Sequence, residues 1–210
     1  MSLPAGRRRP WLRPWLRLAP VLVGVALVAA PTGWLASDRL ERDNDFCNAC
    51  HLSPEVPLHR DIRADFDARP PPTLAAAHAR AGVGSGDAHR PFRCIDCHGG
   101  SGPLGRAQVK ALAARDAFWY VVGRFEEPRE MRFPLRDADC RKCHASYRAA
   151  AGSGANAFHG LAVHNADLSV RCVACHSAHE KGGNPQAHFL RAAEVRAQCA
   201  RCHTEFEEER

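Results

Sequence analysis

The chain has 210 residues, with 10 Cys, 12 His and a formal charge of +6, and only 7% of it is aromatic. That aromatic share is thin for a chain long enough to form one domain or a small pair, and it disfavours an ordinary hydrophobic fold that fills its own interior. Five of the positive charges are Arg7, Arg8, Arg9, Arg13 and Arg17, in a segment without an acid, so the rest is close to neutral and nucleic-acid binding is excluded.

In chain order, residues 1–17 read as a basic cytoplasmic segment. An apolar run comes next, from Leu18 to Leu35, interrupted only by small residues and by Pro20 and Pro31. At about 1.5 Å per residue its length is roughly 27 Å, enough to cross the core of a bilayer. Residues 18–36 are therefore expected to be a transmembrane anchor, with Trp11, Trp15 and Trp34 at its flanks. The arginines before it put the N-terminus inside and residues 37–210 on the periplasmic side. A cleaved signal peptide has a similar basic and apolar make-up. Anchor and signal peptide alike would export residues 37–210.

In the exported part every cysteine belongs to a C-x-x-C pair, and each pair is followed at once by histidine. The five runs are Cys47-Asn-Ala-Cys50-His51, Cys94-Ile-Asp-Cys97-His98, Cys140-Arg-Lys-Cys143-His144, Cys172-Val-Ala-Cys175-His176 and Cys199-Ala-Arg-Cys202-His203. This is the attachment motif of c-type haem. Two thioethers reach the vinyl groups on one porphyrin edge, and the adjacent histidine turns beneath the ring to ligate iron. Disulfides would leave the recurring histidine unexplained. Zinc knuckles and redox dithiols use C-x-x-C, but neither calls for His in all five places. The expectation is five covalently bound haem c groups, about 35 residues of exported chain for each. Two propionates per haem would make the loaded domain acidic.

Between the motifs lie breakers such as Arg69-Pro-Pro-Pro72, Gly82-Val-Gly-Ser-Gly86 and Gly99-Gly-Ser-Gly-Pro103. No alternation of strand type stands out. The fold class expected is mainly α with extensive irregular loops, a haem-cored multihaem cytochrome c fold behind one N-terminal helix. One long helix is legible from about Leu104 to Phe125, with Ser101 and Pro103 at its start. Its apolar stripe is expected at Leu104, Ala107, Ala111, Leu112, Trp119 and Val122.

Five histidines are consumed as proximal ligands: His51, His98, His144, His176 and His203. Met is nearly absent, so the second ligand of a low-spin haem should be His. Seven histidines remain. His179, three residues after His176, is the strongest candidate, followed by His78, His159 and His188, then His164, His59 and His89. Spacing alone does not pair them with particular irons.

The chain resembles the NapC/NirT family of membrane-anchored multihaem quinol dehydrogenases from about residue 10 to residue 185. The resemblance is carried by the single N-terminal anchor, by Asp45-Phe46-Cys47-Asn-Ala-Cys50-His51 soon after it, and by His78 ahead of a Gly-containing run. The helix Lys110-Ala-Leu-Ala-Ala-Arg115-Asp116 with Trp119, and His159 and His179 around the fourth motif, complete it. The chain departs from the family in its fifth motif, in a doubled C-x-x-C-H unit from Cys172 to His203, and in Leu52-Ser53 where family members often place a Met after the first motif. The resemblance implies that menaquinol or ubiquinol is oxidised near the first haem, with Asp116 as the proton-accepting base and Lys110 as a donor to a quinol oxygen. Electrons would leave for a periplasmic reductase or cytochrome. A relay subunit of a larger respiratory complex without its own quinol site, and a catalytic multihaem reductase, are the competing readings.

Overall fold

The computed structural model describes residues 12–49, 58–128, 131–144, 159 and 170–206. The expected ligands His51 and His164 and the attachment residue Cys50 lie outside them. Two compact units are present, one ending at Arg42 and the other beginning at Asp43.

The first unit is a single helix, α1 (Leu12–Leu40). At about 1.5 Å per residue it is roughly 43 Å long. Its apolar residues from Leu18 onward are solvent-exposed within the protein, and it is long and apolar enough to cross a membrane. A helix whose apolar residues are exposed along its length needs an apolar surrounding. Pro20 and Pro31 lie inside it, as membrane helices tolerate. The Thr32 hydroxyl donates to the Val28 carbonyl at 2.8 Å beside Pro31. The helix runs past the expected end at residue 36 to Leu40, taking in Asp38 and Arg39.

The second unit is built from short helices and irregular loops. In order these are α2 (Asn44–Asn48), α3 (Leu58–Asp67), α4 (Leu74–Ala81), α5 (Cys94–His98), α6 (Gly102–Val121), α7 (Asp137–Arg141) and α8 (Ala192–Cys199), with short 3-10 turns at Cys172–Ala174 and Pro185–Ala187. Among the described residues no strand forms, and Val83–Arg90 and Asn184–Leu190 pair only as single bridges. The buried apolar residues described are Phe66, Ala76, Phe92 and Phe189, a very small side-chain core for a unit of this length. Phe66 and Phe92 meet with ring centroids 6.5 Å apart, and His78 lies 5.2 Å from Phe92.

α4 is held at both ends. Buried Thr73 accepts the Ala76 N–H at its start. Gly82 ends it at φ +72°, where an added Cβ would meet the His89 ring at 2.3 Å. The Ala75 N–H donates to the Ala178 carbonyl at 2.9 Å, which ties α4 to the segment just after the fourth motif.

The long helix α6 starts two residues before the expected position and stops four before it. Gly123, at φ +70°, turns the chain. Its N–H donates to Tyr120 and the Arg124 N–H to Trp119, the hydrogen-bond pattern of a glycine-terminated helix. The inward stripe also differs from the expected one. Gly105 and Lys110 are buried and Arg106, Val109, Leu112, Asp116 and Trp119 half-buried, whereas Leu104 is 87% exposed and Ala107 and Ala111 are also exposed. Residues 105 and 112 are seven apart and share a face, while 104, 107 and 111 fall on the flank. Ala carries too little hydrophobicity to settle which flank turns inward.

Candidate haem-binding site

Each of the four motifs that are described whole is one helical turn. α5 spans Cys94–His98 whole. In the next three motifs the His N–H donates to the carbonyl of the first Cys, at 3.0 Å for His144 and 2.9 Å for His176 and His203. A residue pair at i and i+3 and a third residue at i+4 share one helical face, so the two sulfurs and the imidazole project to the same side. The backbone that holds this turn is itself capped. Asp96 accepts the Arg93 N–H at 2.8 Å and Asp139 accepts the Arg136 N–H at 3.0 Å. Burial would push the Asp96 carboxyl up, but the Arg90 guanidinium together with the Arg93 N–H and charge outweighs it and holds the group below its ordinary range.

The motif elements pack in the order of the sequence. α2 lies on α5, α5 on α7, α7 on the turn Cys172–Ala174, and that turn on α8. Side chains repeat the same linkage. Asn44, three residues before Cys47, accepts the Cys94 N–H at 3.0 Å. Asp137, three residues before Cys140, accepts the Cys172 N–H at 2.9 Å. Lys142, inside the third motif, donates to the Asp96 and Gly100 carbonyls of the second at 2.7 and 3.3 Å. Sequence reasoning missed all three roles. Asn and Asp three residues ahead of a Cys are cap-type residues, which is the only local signal they give.

Burial acts on the thiols and imidazoles together. It pushes the Cys97 thiol up to about 11 and, aided by Asp137 and Cys140, the Cys172 thiol up to about 12. Cys94, Cys140 and Cys175 are raised as well, by burial first. A buried sulfur that resists ionisation suits an uncharged thioether. Among the described residues no three of His, Cys, Asp and Glu gather around a point that could hold a metal ion. Burial also lowers the imidazoles, His98 to about 4, with His179 the next cause. His176 and His179 are lowered too, again by burial first. Iron ligation needs the neutral imidazole, and these positions keep it neutral.

The decisive geometry is the pairing of histidines. His98 faces His179 with ring centroids 6.0 Å apart and planes 18° from parallel. His176 faces His159 at 6.2 Å and 13°. His144 faces His78 at 5.9 Å with planes at 87°. A metal–imidazole bond of about 2.0–2.1 Å, with roughly a further 1.1 Å to each ring centre, puts two imidazoles trans across one metal atom at about 6.2 Å. In all three pairs a motif histidine meets a histidine from outside the motifs. The residues present therefore fit c-type haem with two axial imidazoles. The His78 ring is fixed by an Nδ1 hydrogen bond with the Leu74 carbonyl at 2.9 Å.

The other expected residues occupy more varied places. His203 is exposed, with Nδ1 3.1 Å from Glu205 and its ring 6.1 Å from Phe206. His188 sits at φ 53°, next to buried Phe189 at φ 60°. Two successive non-glycine residues in the left-handed region store strain that the surroundings must impose. His59 meets Glu127 at 2.8 Å. His89 is exposed and hydrogen-bonds the Ala81 carbonyl at 3.2 Å, a structural place. Lys110 is 8% exposed, on a different face of α6 from Asp116; at about 100° per residue the two are roughly 120° apart around the axis. Asp116 pairs with Arg115 at 3.4 Å. Glu127 is a further residue that sequence reasoning missed, because nothing local marks it.

Comparison with known families agrees with this chemistry over part of the chain. Residues 125–205, which contain the third, fourth and fifth motifs, match the family model of cytochrome c7 and related cytochrome c. No curated protein and no solved structure matches the chain. Residues 125–205 are thus similar to a cytochrome c7-type multihaem c-type cytochrome domain, and the described residues are mainly helical, with one long apolar helix near the N-terminus.

Proposed function

We propose that this multihaem electron-transfer protein is anchored by α1, binds five haems, takes electrons from the membrane quinol pool and passes them to a periplasmic reductase or cytochrome. When bound, haem iron supplies the one-electron redox change. The chain's own residues ligate, space and bury. The observation that carries the reading is the packing of the five motif-bearing elements in sequence order, from α2 to α8. Such an order suits a wire that starts at the motif next in sequence to the anchor and ends at the C-terminus. All-histidine ligation suits it too, since a filled axial position leaves no iron open to substrate.

His98 with His179, His144 with His78 and His176 with His159 are the proposed axial pairs. His188, held in a strained turn just ahead of α8, is proposed for the haem of His203. Lys110 and Asp116 stay the candidates for quinol chemistry, Asp116 as the base that takes a proton and Lys110 as a donor to a quinol oxygen. Their different faces on α6 mean that they would meet a quinol at different positions.

The test is reduction of the oxidised full chain in detergent by menaquinol and ubiquinol analogues, followed in the visible spectrum. Reduction is expected to slow at least tenfold in Asp116→Asn, with the haem content unchanged. If neither quinol reduces any haem while a small-molecule reductant does, the protein is a relay fed by another subunit and the quinol site is withdrawn.

A further inference from the structure

We propose that Lys142 and Asp139 are an opposed charge pair that tunes the haems on the second and third motifs, the ammonium raising their reduction potentials and the carboxylate lowering them. The inference rests on the haem reading of the site. Lys142 stands between Cys140 and Cys143, inside the third motif, and Asp139 comes just before it. The Lys142 ammonium lies 3.8 Å from Asp139 Oδ1, and the two side chains are 31% and 7% exposed.

The ammonium belongs to one motif and is bound to another. Lys142 Nζ donates to the Asp96 carbonyl at 2.7 Å and to the Gly100 carbonyl at 3.3 Å. Asp96 is inside the second motif, and Gly100 follows the helix α5 that carries it. A cation at the last carbonyls of a helix meets the negative end of its dipole, so the charge is held where α5 packs on α7. The carboxylate is fixed as well. Asp139 Oδ2 accepts the Arg136 N–H at 3.0 Å, at the turn that opens α7. A carboxylate so little exposed is costly unless it is hydrogen-bonded and set beside a positive charge, and Asp139 has both.

The two charges share one field. Burial acts first on the Cys97 and Cys140 thiols and on the His98 imidazole. Beyond it, Lys142 and Asp139 both reach all three groups, in opposite directions. An attachment sulfur of each haem and the motif histidine of the second therefore lie within reach of this one pair. The carboxylate of Asp96 is compensated by Arg90 at 2.6 Å. Reduction adds an electron to a haem, so a fixed cation nearby stabilises the reduced state and a fixed anion the oxidised one. Burial keeps solvent and salt from screening the effect away.

The test is a spectroscopic redox titration of the full chain, purified in detergent. Lys142→Gln keeps a donor for the two carbonyls and removes the positive charge. Asp139→Asn keeps an acceptor for the Arg136 N–H and removes the negative one. Five haems should remain in each by intact mass. In Lys142→Gln two of the five midpoint potentials should fall, the larger shift being about tenfold in the reduction equilibrium, ~59 mV for a one-electron couple. In Asp139→Asn the same two should rise, and Lys142→Arg should stay near the parent. The shifted potentials should belong to the haems whose low-spin signals are lost in His179→Ala and His78→Ala. A merely structural contact would loosen the two motifs in either variant and move the potentials the same way in both. Unchanged potentials, shifts of one sign in both variants, or shifts confined to other haems overturn the proposal and leave a contact that only ties the third motif to the second. Where one variant fails to fold, the sign of the shift in the other decides. Fewer than five haems in the unaltered chain overturns the haem reading itself.

Discussion

A single histidine illustrates how burial and ligation cooperate. His98 is pushed down to about 4 by burial and, second, by His179. In the unfolded chain the same imidazole takes its proton near 6.5. The folded protein therefore suffers as pH falls from about 6.5 through about 4, and above that window the site is neutral and ready to ligate. The paired histidines give a direct check. His179→Ala, His78→Ala and His159→Ala should each convert one haem to high spin and leave the covalent haem count unchanged, because the thioethers and the motif histidine stay in place. The planes of His78 and His144 stand at 87°, those of the other two pairs within 18° of parallel. The electron-paramagnetic-resonance signal removed in His78→Ala should accordingly differ in shape from those removed in the other two.

At the scale of elements, very short helices are stabilised by each other instead of by their own length. Isolated helices of five residues do not form in water, since nucleation alone is unfavourable. α2, α5 and α7 are that short. α2 is capped by Asp43 and α7 by Asp139 from within, while a side chain from the preceding motif holds α5 and the turn Cys172–Ala174, Asn44 on Cys94 and Asp137 on Cys172. Removing such a cap costs about 0.5–2 kcal/mol, out of the roughly 5–15 kcal/mol that a domain holds in total. Asn44→Ala and Asp137→Ala should each lower the unfolding free energy by an amount in that range, and with it the denaturation midpoint, with Asp137→Asn close to the parent. Chemical denaturation followed by circular dichroism measures it, and a midpoint unchanged in both alanine variants shows the caps to be incidental. α6 is the opposite case. It has twenty residues and a stripe with helical spacing, so it is legible in the sequence, though its end is set by Gly123 and its inward face by neighbours.

For the whole molecule, the two units divide the work between membrane and redox chemistry. α1 has the length and composition to span a bilayer, and its apolar side chains from Leu18 onward are exposed. If it is a retained anchor, the chain should stay with the membrane through alkaline carbonate extraction, and N-terminal sequencing should find residues 1–17 in place. A mature protein that begins after the apolar run would mark a signal sequence instead. The formal +6 belongs mostly to that terminal arginine cluster. The exported unit should migrate as an acidic protein once its propionates are added.

The sequence alone determined the chemistry of attachment. Five C-x-x-C-H runs, a shortage of Met, a surplus of His and one apolar segment are all local patterns. Local patterns survive without a fold because each of the motifs described whole is a single helical turn whose sulfurs and imidazole share a face. The sequence also determined the fold class, since few aromatics and many breakers leave short helices and loops. Only the tertiary structure decided which histidine meets which. His98 and His179, or His78 and His144, stand far apart along the chain, and no periodicity links them. It was the packing of α4 on the segment after His176, through Ala75 and Ala178, together with the stacking of motif upon motif, that brought them to about 6 Å. The His59–Glu127 contact, 68 residues apart, came from the same source. A buried carboxylate is expensive anywhere, and only the fold shows where one has been placed.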